Sequence, residues 1–134
     1  TEPVDLALRQ AFTDARRELD AHVVDFAFHR ALEALWRALD HANKYVTATA
    51  PFSLAKTPAG LPRVGAILHE LCEALRVTAQ LIEPFMPETA AKLWIFLDLP
   101  TDQLRDLALP WGQAFAPGHR TQKAEALFPR IDAA

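Results

Sequence analysis

The chain is 134 residues long and 51% hydrophobic, with 14 Lys and Arg against 17 Asp and Glu for a formal charge of −3. That length fits one domain, residues 1–134, with a core that needs no staples, and the negative balance argues against a general nucleic-acid binder. One cysteine, Cys72, leaves no internal disulfide or cysteine-based zinc cluster; without a basic-then-apolar leader or a run of about 18 apolar residues, the chain is expected to be cytoplasmic with no membrane span.

Leu8, Phe12, Ala15 and Leu19 step by four, three and four, which predicts a first helix over residues 3–20. Pro3 and Asp5 suit its first turn, where a missing N–H is tolerated and a negative charge is favoured. Phe28, Leu32, Leu35, Leu39, Ala42 and Val46 repeat the spacing and predict a second helix over 26–49, with Arg30, Glu33, Arg37, Asp40 and Lys44 on the opposite side. Pro51, Pro58, Gly60 and Pro62 then impose a loop with room for one short turn around Ser53–Lys56. Val64, Leu68, Leu71, Leu75, Ala79 and Ile82 predict a third helix over 63–83, stopped at Pro84. Pro87 opens a fourth over 87–98, whose inner face is Ala90, Leu93, Trp94 and Leu97.

Past Pro100 the pattern weakens. A brief helix at 102–107 fits, and the tail over 99–134 is otherwise expected to be irregular, packing through Trp111, Phe115 and Phe128. No stretch alternates with a period of two. The fold class is therefore all-α: an antiparallel bundle of four main helices with an irregular C-terminal tail.

Little points to bond-making chemistry. His22 and His29 are seven apart with no third ligand at metal spacing, so no metal site is expected. Cys72 lies beside the apolar stripe of the third helix, the setting of an inert thiol. Four glycines at 60, 65, 112 and 118 cannot form a phosphate loop. Carboxylates fall on polar helix faces, where solvation explains them. Trp36, Trp94 and Trp111 suit core or domain-contact roles, and Gly118-His119-Arg120 with Lys123 reads as a solvated basic loop.

The most informative stretch is residues 43–56, where a helix runs into Ala50-Pro51 and Phe52 follows at once, between Lys44 and Lys56. Proline cannot continue the helix, so the ring is presented at a helix end. An aromatic at a break between cations suits stacking on an unpaired base; a core Phe beneath a loop suits the same residue types. Charge distribution adds to this, because no acidic residue lies between Asp40 and Glu70, while Lys44, Lys56 and Arg63 do. Ordinary scatter of bases through a loop would give the same window.

Several segments, in order, resemble the C-terminal anticodon-binding domain of methionyl-tRNA synthetase. They are Phe28-His29-Arg30-Ala31-Leu32-Glu33, Ala42-Asn43-Lys44-Tyr45-Val46, Ala50-Pro51-Phe52-Ser53-Leu54-Ala55-Lys56, Glu73-Ala74-Leu75-Arg76 and Pro84-Phe85-Met86-Pro87-Glu88-Thr89-Ala90. Trp111-Gly112, Gly118-His119 and Leu127-Phe128-Pro129-Arg130-Ile131 complete the match, which spans residues 26–132. The resemblance implies a helical bundle that receives the CAU anticodon of methionine tRNA. In the family a tryptophan usually follows the Ala-Pro pair and stacks on an anticodon base; Phe52 stands there in this chain. It also implies anticodon-binding roles for Lys56, on a phosphate, and for Asn43 and Lys44, although Asn43 also suits a cap or brace at the helix end.

Two departures accompany the resemblance. The family's earlier helix with an Asn-Leu-x-x-Arg motif is absent, as are the catalytic signatures His-Ile-Gly-His and Lys-Met-Ser-Lys-Ser. The chain therefore looks like a non-catalytic piece of the enzyme or a stand-alone relative. No cofactor is expected in it; ATP and methionine would bind a separate catalytic domain of the same enzyme. The bundle of a valyl, leucyl or cysteinyl enzyme, or a helical protein-interaction module with no RNA role, are the alternatives.

Overall fold

The computed structural model describes residues 1–132. Six α-helices follow one another: α1 (Pro3–Val24), α2 (Phe28–Thr49), α3 (Pro51–Leu54), α4 (Leu61–Ile82), α5 (Pro87–Leu97) and α6 (Thr101–Arg105), with a 3₁₀ turn at Pro58–Gly60. No strand occurs among the described residues, and no helix is long and apolar enough to cross a membrane. α1 lies along α2 as a hairpin, and α4 packs on both and on α5.

The α1–α2 seam explains how the apolar spacing is used. Leu8, Phe12, Ala15 and Leu19 are buried as spaced, but α2 answers them with Ala31, Ala34, Leu35, Ala38 and Tyr45. Small side chains let the two backbones approach closely, so Leu32, Leu39 and Val46 of the expected stripe fall to the flanks and are only partly buried. Similarly, Leu68 of the expected α4 stripe is exposed, while the C-terminal half of α4 is enclosed almost all round.

The packing of α1, α2 and α4 also buries charge. Contrary to the expectation of solvated carboxylates, Asp5, Glu70 and Glu73 are all buried. Glu70 takes a bidentate pair from Arg9 and a 2.8 Å bond from Trp111 Nε1. Glu73 accepts from Arg76 Nε at 2.9 Å and from the Ala114 backbone N–H at 3.1 Å. Each carboxylate is thus both paired and hydrogen-bonded, which offsets the desolvation that an isolated charge would suffer.

Two of those bonds come from the tail, which turns back over α4. Trp111 packs on Phe12 with ring centroids 5.8 Å apart. Of the other aromatics through which the tail was expected to pack, Phe115 is buried with Leu97, Leu104 and Ala114 in a second core, whereas Phe128 stays exposed. His119, placed in a solvated loop by its neighbours, turns inward to Leu97 O at 2.7 Å and sits edge-on to Phe115. Gly112 and Gly118 take positive φ at the bends that permit this path.

Among the described residues three that are not glycine also have positive φ: Phe26, Ala50 and Asp98. Each terminates a long helix in the left-handed conformation, at roughly 1–2 kcal/mol relative to a relaxed residue.

Candidate nucleic-acid interface

α2 ends because Ala50 turns left-handed (φ 44°, ψ 56°) and Pro51, which has no N–H to give, starts α3 at its first position. The Pro51 ring is buried and anchors the turn. Phe52 comes next and is 80% exposed, so the ring is displayed and not roofed by the loop.

The turn is held from two sides. Gly60 closes the loop against the Leu54 carbonyl so tightly that an added Cβ would lie 2.1 Å from the oxygen. Beneath the same end, Asp5 of α1 gathers α2 and α4: Tyr45 Oη donates to it at 2.6 Å, and Arg63 Nη1 and Nη2 donate at 2.8 Å each. The Arg63 hydrogen bonds hold the Asp5 carboxyl well below the usual carboxylate range against the opposing effect of burial. Burial first, and then the bond to Asp5, push the Tyr45 phenol up.

The four residues expected at the interface share this end of the bundle. Asn43 is exposed two turns before the end of α2; its side chain makes no hydrogen bond among the described residues, and it does not cap the helix, which continues to Thr49. Lys44 is exposed and paired with Asp40 at 2.7 Å, beside an open groove shared with Trp36 and Arg37. Lys56 follows Phe52 by one helical turn, is exposed and has no ion pair among the described residues.

The acid-free window is thereby corrected. It exists along the chain but not in space, since Arg63 faces Asp5 of α1 and Glu2 just before that helix, and Lys44 faces Asp40. Of its three cations only Lys56 is left without a carboxylate partner among the described residues. The Asp5 clamp and Gly60 escaped the sequence reading. One signal was available: Arg63 sits in the first turn of α4, where a cation opposes the helix dipole and therefore calls for a dedicated carboxylate.

The family described as the anticodon binding domain of methionyl tRNA ligase matches residues 2–134. The chain belongs to that family. The methionine–tRNA ligase of Fusobacterium nucleatum is 35% identical over 133 residues, which is 98% of this chain and 21% of the relative. The Bacillus subtilis methionine–tRNA ligase is 36% identical over 110 residues, 79% of this chain and 16% of that one. In three dimensions the domain is similar to the free form of Mycobacterium tuberculosis methionyl-tRNA synthetase, at TM-score 0.88 and 32% identity, over 100% of this chain and 27% of that one. The domain thus spans about a fifth of the length of the F. nucleatum relative. The match settles the methionyl family over the valyl, leucyl and cysteinyl alternatives, and the all-helical bundle is the fold it shares with that structure.

Proposed function

We propose that the domain receives the CAU anticodon loop of methionine tRNA at its Phe52 end. It would act in the cytoplasm as part of a methionyl-tRNA synthetase whose catalytic domain binds ATP and methionine and charges the acceptor end. The domain's role is positional: it makes and breaks no bond, and it fixes where the tRNA lies relative to the chemistry. The observation that carries this reading is the exposed Phe52 ring on a turn clamped by Gly60 and the Asp5 cluster. A pre-formed platform loses little entropy when a base stacks on it.

Phe52 supplies the stacking face, within the roughly 1–3 kcal/mol that a base on an aromatic contributes. Lys56 supplies a phosphate contact from the cation that has no competing carboxylate among the described residues. Asn43 offers an unpaired amide to a base edge, and Lys44 a charge once it leaves Asp40.

The test is Phe52→Ala in the enzyme that carries this domain. Binding of a CAU anticodon stem-loop should weaken by about 1–3 kcal/mol, while ATP-dependent methionine activation stays unchanged; equal losses in both would make Phe52 structural. Lys56→Ala should shrink the dependence of log K on log salt by about one unit. An unaltered slope removes Lys56 from the contact list.

A further inference from the structure

The opposite end of the bundle carries a second exposed aromatic group that the anticodon reading does not use. Phe26 is 81% exposed, Val24 76% and Phe28 49%. Phe26 and Phe28 meet edge-on at 6.3 Å, and Phe28 meets Phe85, from the α4–α5 link, at 6.3 Å. The 22 residues of α2 separate this tip from Phe52 by about 33 Å of helix.

The conformation at the tip is costly for the domain by itself. α1 ends in a Schellman arrangement, with Ala27 N–H on His22 O at 2.8 Å and Phe26 N–H on Val23 O at 3.0 Å. The residue at its left-handed position (φ 54°) is where glycine is the default, yet a phenylalanine occupies it. The strain aims a large apolar ring into water, and packing within the domain covers little of it.

We infer that this Val24–Phe26–Phe28–Phe85 tip is the surface on which the catalytic portion of the same polypeptide docks. The inference rests on the anticodon reading above, and three observations favour this occupant. Relatives are about five times longer than the domain, so a tethered partner of that length is at hand. The tip also lies at the far end of α2 from the turn that carries Phe52, so a partner seated on it leaves that turn free. Finally, four apolar side chains fall well short of the roughly 800 Å² per partner of a stable free dimer, but suffice for a segment held nearby at high effective concentration.

Phe26→Gly separates docking from folding, because glycine accepts φ 54° without strain. The 134-residue chain carrying it should melt at the same temperature as the parent or higher. In the whole enzyme the same change should raise proteolytic cleavage and amide exchange around residues 22–29 and lower aminoacylation kcat/KM by about tenfold through misplaced tRNA. Anticodon stem-loop binding and methionine activation should be untouched. The inference is overturned if residues 22–29 exchange as fast in the enzyme as in the isolated chain. It is overturned too if Phe26→Gly weakens stem-loop binding, which would make the tip an RNA contact, or if it abolishes a concentration-dependent dimer of the isolated chain. Failure of the anticodon reading shows separately, as Phe52→Ala leaving stem-loop binding intact while the tip remains protected.

Discussion

Asp5 accepts four hydrogen bonds at the first turn of α1, from Glu2 N, Tyr45 Oη and both terminal nitrogens of Arg63. Its carboxyl is held below the ordinary value, chiefly by the Arg63 bonds. The folded state therefore binds this proton less readily than the unfolded chain, so its contribution to stability is present above the unfolded pKa of about 4 and lost as the pH falls below it. Asp5→Asn should lower stability at pH 7 by roughly 1–3 kcal/mol, and thermal melts of the two proteins should begin to converge once the pH falls below about 4 and draw closer with further acidification. A gap that stays constant with pH would mean that the charge on Asp5 contributes nothing. Residues such as this were the least legible. Arg63 lies 58 positions from Asp5, and nothing local distinguishes a carboxylate that will be enclosed from one that will be solvated.

The elements were far more legible than the residues, because a helix that buries one face writes its period into the sequence. Of the four, the reading of α1 fell furthest short of the helix observed. Its apolar stripe ends at Leu19, yet the helix continues to Val24, since backbone hydrogen bonds and the Schellman end need no buried side chain. α3 was legible for a different reason: Ala-Pro forces a break whatever lies around it, and a short turn was expected there. What could not be read was its tether. Gly60→Ala would drive a methyl into the Leu54 carbonyl, so α3 and the start of α4 have to separate at a cost of about 1–3 kcal/mol. We expect faster amide exchange at Ser53–Thr57 in that variant, and weaker stem-loop binding than its loss of stability accounts for. An unmoved loop would show that the α4 backbone yields instead.

At the scale of the whole molecule, the tail is the part that the sequence concealed. Its prolines and glycines announce that it is not helical, but not that it closes the bundle. It does so with side chains and backbone alike: Trp111 on Glu70, Ala114 N–H on Glu73, and the Leu107 carbonyl under Arg16. The candidate site was legible in outline, since Phe52 and Lys56 are displayed as their positions beside the proline suggested. The charge around it was not, because a gap between acids along the chain says nothing about carboxylates arriving from another helix.

The strap across α4 sets an order on biogenesis. As the polypeptide leaves the ribosome, Glu70 and Glu73 emerge some forty residues ahead of the indole and amide that complete their coordination. Until Trp111 and Ala114 are translated, the nascent bundle holds two acidic groups incompletely matched, and its interior can settle only when synthesis has nearly run the length of this segment.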